Sequence, residues 1–346
     1  MSHVLAGDIG GTRARFALFD VGGAAPALVH QDVLESRTFR TFEAALDTFL
    51  SVSLREALRK APRIAAASFG IAGPVVEQRV KTTNLPWTID ANKVAQKFGI
   101  PRVTLLNDLV AAGLGAIASP SSKLHVVYKG RPKRTGGNLA VIAAGTGLGE
   151  ASFIWDGKEH VACATEGAHV DFAPQNTIED ELLALLREEY GHVSYERIAS
   201  GSTIAKIHRF FVREQRVKET KGAAAEVARA EDPNVAVVEL AESGRSEAAM
   251  RAVDLWCSVY GAEAGNLALK SLATGGVFVC GGVSGRLATV LANGLPKRKV
   301  KGPSPFVRAF LDKGRMRPLL ETIPVAVCTE PRAGLLGAAS HAASRV

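Results

Sequence analysis

"LAGDIGGTRARFALFD", residues 5–20, sets an apolar run, a carboxylate, two adjacent glycines and a threonine ahead of a second, alternating stretch. In that second stretch Ala14, Phe16 and Leu18 share one face and Arg13 and Arg15 the other, a period of two that belongs to a strand. Residues 4–9 are also strand-like, so the Gly10-Gly11-Thr12 link makes a β-hairpin, with its glycines expected to take dihedrals that other residues avoid. A Rossmann glycine loop would instead have to open a helix. Two readings of the turn stand side by side. Its glycines only reverse the chain, or its bare backbone N–H groups face a phosphate, with Asp8 nearby to hold a metal.

The chain has 346 residues, more than one comfortable core, which predicts two domains or lobes. Hydrophobic residues at 47% and charged residues at 22% are ordinary for a globular protein that folds in water. Cys163, Cys257, Cys280 and Cys328 are far apart in apolar surroundings, form no CxxC pair, and read as reduced, buried thiols of a cytoplasmic protein. No basic-plus-apolar leader or long apolar run points to secretion or a membrane. The net charge of +8 raises nucleic acid as a partner. Its clusters at 129–134 and 297–301, however, sit in Pro/Gly-rich loops without interleaved aromatics and read as solvated surface, so no nucleic acid is expected.

Strand-like and helix-like stretches alternate along the chain, which predicts an α/β fold. Residues 64–71 and 103–106 read as buried strands, 73–90 as a loop-rich passage with a short hairpin, and 109–118 as a helix despite two glycines. Residues 119–137 read as a connection at a lobe boundary. The opening pattern then returns in "NLAVIAAGTGLGEASFIWDG", residues 138–157: an apolar strand, a glycine turn carrying Thr146, and a second strand. This repetition suggests two related lobes whose hairpins could grip one nucleotide's phosphates from opposite sides. A third run, "GGVFVCGGVSGRL" at 275–287, reads as a buried strand turning at Gly281-Gly282 into a helix, where a base or ribose could approach closely.

The ordered set of Asp8-Ile-Gly-Gly-Thr12, Asn107-Asp108, Gly145-Thr-Gly-Leu-Gly149, Gly281-Gly282 and "PRAGLLGAASHA" resembles the sugar kinase, heat-shock ATPase and actin superfamily. Within it, "EGAHVDFAP" (166–174), "GHVSYERIASG" (191–201) and "GGVFVCGGV" are similar to the bacterial ATP-dependent glucokinases, and the resemblance covers nearly the whole chain. It implies a two-lobed actin-like ATPase fold, each lobe built on a mixed five-stranded sheet with flanking helices and the active site in the interlobe cleft. The small domain would take residues 1–118 plus 331–346 and the large domain 119–330. The family's function would be transfer of phosphate from ATP to D-glucose with Mg2+, in a cytoplasmic enzyme that forms a homodimer. The one departure within the motifs is Ala168, where a glycine is common.

The residues can also be read for the chemistry itself. Phosphoryl transfer to a hydroxyl needs positioned phosphates, a divalent cation and a group that takes the hydroxyl proton. Asp108 directly follows a strand, where open α/β sheets place ligands, although Asn107 or Asp108 would equally cap the following helix. A neutral sugar is best gripped by carboxylates, amides and imidazoles that fork across its hydroxyls, and Glu166, His169 and Glu196 with Asn107 and Asp108 make such a set. Taken alone, Glu196 reads as a surface glutamate at a helix start, and the ExxH spacing of Glu166 and His169 has no further ligands to make a zinc site. By resemblance Asp108 is the base, and Asn107, Asp108, Glu166, His169 and Glu196 are the sugar ligands. Nucleotide contacts would be Asp8 (also the Mg2+ residue, through water), Gly10, Gly11, Thr12, Gly145, Thr146, Gly147, Gly281 and Gly282. "TNLPW" at 83–87 would wall the sugar side or pack as an ordinary loop. A broader hexokinase, an ATP-driven conformational protein and a sugar-responsive regulator are the alternatives; the last would carry a cysteine-rich zinc motif near the ExxH, where Cys163 stands alone.

Overall fold

The computed structural model describes the chain apart from Met1, Ala24, residues 59–61, Thr83, Asn84, residues 132–135 and residues 299–301. It divides into two compact units, residues 1–124 with 330–346, and residues 125–329.

The first unit is built on a five-stranded sheet. Its strands are β1 (His3–Ile9), β2 (Arg13–Asp20), β3 (Ala27–Glu35), β4 (Ile64–Ile71) and, after a separate two-stranded hairpin of β5 (Arg79–Lys81) and β6 (Thr88–Asp90), β7 (Val103–Asn107). The order is β3-β2-β1-β4-β7, with β1–β2–β3 antiparallel and β4 and β7 parallel to β1. Alternation along β1 and β2 sends Leu5, Ile9, Ala14, Phe16 and Leu18 into a core with Phe42, Phe49, Phe69 and Trp87. The opposite face is not a solvated one. Val4, Ala6, Ala17 and Phe19 are covered there by Leu335, Ala338, Ala339 and Ala342 of the C-terminal helix Ala333–Ala343.

That helix lies against helix Asp108–Ala118 at backbone contact. A Cβ on Gly115 would fall 1.8 Å from the Ala333 carbonyl oxygen, and one on Gly337 would fall 1.8 Å from that of Ala111. Gly115, one of the two glycines in the helical stretch 109–118, is therefore what lets the two axes approach.

The second unit repeats the plan. Strands β8 (Leu124–Tyr128), β9 (Leu139–Ala144), β10 (Leu148–Trp155), β11 (His160–Thr165), β12 (Gly276–Cys280) and β13 (Val325–Cys328) form a sheet of order β11-β10-β9-β12-β13-β8. Its first five strands reproduce the order and the antiparallel and parallel senses of the first sheet. The sheet is six-stranded rather than five-stranded because β8 adds an edge beside β13. That strand also corrects the reading of 119–137 as plain connection; its short LHVVY pattern is flanked by loop-forming residues that mask it. The 24-residue helix Glu247–Lys270 runs through this unit's core, with Trp256 and Tyr260 fully buried.

Two further expectations are corrected. Neither Gly10 nor Gly11 is among the glycines of positive φ, so the first turn does not require glycine for its dihedrals. Cys163 is exposed because it lies on β11, an edge strand of the second sheet, while the other three cysteines are buried.

Candidate active site

In the first unit the register β1–β2 sets Asp8 opposite Arg15, on the face covered by the C-terminal helix. Arg15 Nη1 donates to Asp8 Oδ2 at 2.9 Å, and the carboxylate lies beside Gly334, whose added Cβ would stand 3.1 Å from Asp8 Cγ. The turn beyond is closed by the Gly10 amide donating to the Arg13 carbonyl at 3.0 Å. A Cβ on Gly10 would meet only that carbonyl, at 3.3 Å, and Thr12 is exposed. The turn's outer side is thus backbone open to a ligand, which is a different use of glycine from the expected one.

At the carboxyl end of β7, Asn107 caps helix Asp108–Ala118. Its Oδ1 accepts from the Leu109 amide at 2.9 Å and its Nδ2 donates to the Gly73 carbonyl at 3.3 Å. Asp108, the first residue of the helix, also accepts from Leu109 N at 2.9 Å through Oδ1. The capping reading therefore falls chiefly on Asn107, and Asp108 stands half-buried at the helix N-terminus, where a carboxylate is favoured.

In the second unit, the segments 166–174 and 191–201 are zipped together: Phe172 N donates to Val193 O at 3.0 Å and Tyr195 N to Val170 O at 3.2 Å. This pairing brings Glu196 to Glu166 and His169, which lie about 30 residues earlier in the sequence. His169 lies between two carboxylates, Nε2 at 3.9 Å from Glu166 Oε2 and Nδ1 at 3.9 Å from Glu196 Oε1. Glu166 and His169 are exposed, whereas Glu196, at the start of helix Glu196–Ala199, has a side chain 27% exposed. Ala168 takes no positive φ and buries its methyl, so the departure from glycine introduces no strain. Of "TNLPW", Thr83 and Asn84 lie outside the described residues. Trp87 is buried and donates through Nε1 to the Phe39 carbonyl at 3.1 Å, which is packing.

Glu196 also reaches the second glycine turn. Its Oε2 accepts from the Leu148 amide at 3.0 Å and occupies the place of a Gly147 side chain, since a Cβ there would lie 2.4 Å away. The turn is fastened at other points too. Gly201 N donates to Gly145 O at 2.8 Å, Ser202 Oγ donates to Thr146 O at 2.9 Å, and Tyr260 Oη accepts from Ala144 N at 3.2 Å while bonding Ser284 Oγ at 2.9 Å. Thr146 is left exposed, and nothing stands within 4 Å of a Cβ on Gly145 or on Gly282. Gly281 has φ +92° and packs on the end of β9, where a Cβ would be 2.3 Å from the Ala144 carbonyl oxygen. Here glycine is required both for its dihedral and for its contact.

Sequence reasoning missed Arg15 as the partner of Asp8, although pairing the hairpin residue by residue would have found it. It also missed Glu150, a buried acid on β10, for which the available signal was its place two residues after the apolar Leu148, on the same strand face. Of the basic stretches, Arg298 is held by Asp254 at 2.9 Å and Glu247 at 3.2 Å; residues 132–134 and 299–301 lie outside the described residues. Among the described residues no group of three or more metal-ligating side chains occurs, and no helix is long and apolar enough to cross a membrane.

Two α/β units that repeat one strand order, each containing an antiparallel hairpin with a glycine turn, define the actin-like ATPase class of fold. A glucokinase family model matches residues 5–345. The glucokinase of Nostoc punctiforme is 35% identical over 356 residues, covering 99% of both chains, and that of Trichormus variabilis is 34% identical over 357 residues with the same coverage. The chain belongs to the glucokinase family. Among solved structures, a glucokinase from an Antarctic psychrotroph superposes with a TM-score of 0.82 at 28% identity, covering 99% of each chain. A ROK family glucokinase from Streptomyces griseus, solved in complex with glucose and AMPPNP, shares the fold with a TM-score of 0.61 at 21% identity, covering 99% of each chain.

Proposed function

We propose that this chain transfers the γ-phosphate of ATP to the 6-hydroxyl of D-glucose. The observation that carries the reading is Glu196, one carboxylate that holds the Leu148 amide of a glycine turn while facing His169 and, through it, Glu166. A set of acceptors and an imidazole suited to neighbouring hydroxyls is thereby tied to backbone suited to phosphate. In this reading Glu166, His169 and Glu196 bind the sugar with Asn107 and Asp108. Gly10, Gly11, Thr12, Gly145, Thr146 and Gly147 face the phosphates, and Gly281 and Gly282 the nucleoside.

A sugar hydroxyl is too weakly acidic to lose its proton unaided at neutral pH, so Asp108 orients it and receives the proton as the phosphoryl group arrives. Asp8 suits Mg2+ held through water: Oδ2 is engaged by Arg15, and Oδ1 carries no hydrogen bond among the described residues. Magnesium keeps most of its waters and needs only one or two carboxylates beside the phosphates, whose developing charge it neutralises when bound. In this reading the enzyme works in the cytoplasm as a homodimer. A coupled assay over a panel of hexoses and of ATP, ADP and polyphosphate as donors tests it: glucose with ATP is the expected best pair, and ATP hydrolysis indifferent to every hexose would refute it.

A further inference from the structure

Glu150 lies on β10, opposite Thr165 of β11, and turns into the interior, where the residue is 2% exposed. Directly over it runs the sugar-facing segment. A Cβ on Gly167 would come within 2.3 Å of Glu150 Oε2, so the backbone between Glu166 and His169 rests on this carboxyl. The other oxygen, Oε1, is buried without a hydrogen-bond donor. The group beside Glu150 is itself a carboxylate, Glu263, wholly buried on helix Glu247–Lys270. Glu263 already accepts from Lys270 Nζ at 3.2 Å and from Asn266 Nδ2 at 2.8 Å, and Asn266 also donates to Tyr195 Oη at 3.0 Å.

Two buried carboxylates side by side cannot both be charged. Glu263 accepts from two donors while Glu150 Oε1 has none, so the shared proton is assigned to Glu150, whose pKa is pushed up to about 8 by burial and by the charge of Glu263. A protonated Glu150 donates to Glu263, which also accounts for its oxygen without a donor. We propose that Glu150 is a positioning residue for sugar recognition: clamped as a neutral acid to Glu263, it forms the floor that supports Gly167 and thereby sets Glu166 and His169. The inference rests on the sugar-binding reading of those two residues.

Ionising Glu150 would place a second negative charge against Glu263 and drive the floor apart. The other charged or titratable groups around the pair are Lys270 and Tyr260 from the long helix, Lys313 and Tyr195 facing Glu263, Glu179 facing Lys313, and Glu166 and His169 on the segment above. Among the described residues Lys270 is the cation that directly favours a charge on Glu150, and it is already engaged by Glu263.

The test is the pH dependence of the glucose KM in the parent, Glu150→Gln and Glu263→Gln proteins, with ATP KM and circular dichroism followed alongside. In the parent the glucose KM should rise about fivefold or more between about pH 7 and about pH 9.5. Glu150→Gln keeps a neutral donor to Glu263, so its glucose KM should start within about threefold of the parent value and stay flat. Glu263→Gln removes the charge that would repel an ionised Glu150, so its glucose KM should rise less than the parent's over the same pH range. A parent KM that does not rise, or a Glu150→Gln protein with the parent's rise, overturns the inference. Glucose phosphorylation without these shifts defeats this inference alone, whereas failure to phosphorylate any hexose at any pH defeats the proposed function and this inference with it.

Discussion

Glu196 is asked to do two things at once, and two substitutions separate them. Its Oε2 accepts from the buried Leu148 at the glycine turn, and its Oε1 faces His169 and, in the proposed function, a sugar hydroxyl. Glu196→Gln retains one carbonyl oxygen for the Leu148 amide and replaces the other oxygen by an NH2 group. The turn keeps its anchor and the sugar loses a charged acceptor, which costs about 1.5 to 3 kcal/mol, or roughly 10- to 150-fold in glucose KM, with ATP KM within about threefold. Glu196→Ala loses both partners. The Leu148 amide is left buried and unpaired, at about 1 to 3 kcal/mol, and ATP KM should then rise as well. Initial rates from a coupled glucose 6-phosphate assay, with each substrate varied in turn and folding checked by circular dichroism, read out both effects. If Glu196→Gln leaves glucose KM unchanged, or Glu196→Ala leaves ATP KM unchanged, the double role is wrong.

Two more outcomes follow from the geometry. Gly281→Ala places a Cβ 2.3 Å from the Ala144 carbonyl at φ +92°, so it should lower the melting temperature by several degrees, at about 1 to 3 kcal/mol, and raise ATP KM more than glucose KM. Glu150 ordinarily titrates near 4.5 and is raised to about 8 in the fold, so its stabilising share is complete below 4.5 and is lost as pH rises through 8. Glu150→Gln, which stays neutral, should match the parent's melting temperature near pH 4.5 and exceed it near pH 8 by up to about 4 kcal/mol in stability; equal melting temperatures at both pH values would contradict the buried acid pair.

Both glycine hairpins were legible in the sequence because a two-residue period interrupted by glycine admits few structures, and the repeat at 138–157 marked the duplication. The helix after Asn107 was legible for a similar reason, since Asn-Asp ahead of an apolar stretch is a cap signal. Strand β8 was hidden because its short edge pattern alternates weakly. The covered second face of β1 and β2 was hidden because what covers it, Ala333–Ala343, is more than 300 residues away in sequence. The reason for Gly147 and Gly167 was illegible for the same cause. Each glycine leaves room for a carboxylate, Glu196 or Glu150, whose approach depends on tertiary packing and leaves no local pattern. The zipping of 166–174 onto 191–201, which brings Glu166, His169 and Glu196 together, likewise has no signature in either segment alone.

The central claim is that a carboxylate at position 108 takes the proton of a glucose hydroxyl during phosphoryl transfer. Asp108→Asn preserves the side chain's shape and an acceptor for Leu109 N, with Asn107 still capping the helix, so folding and ATP binding should persist. The direct measurement is kcat for glucose phosphorylation per folded, ATP-binding molecule of this variant. The account predicts a fall of about 10²- to 10⁴-fold with ATP KM little changed. A folded, ATP-binding Asp108→Asn protein that phosphorylates glucose within about tenfold of the parent rate would contradict it.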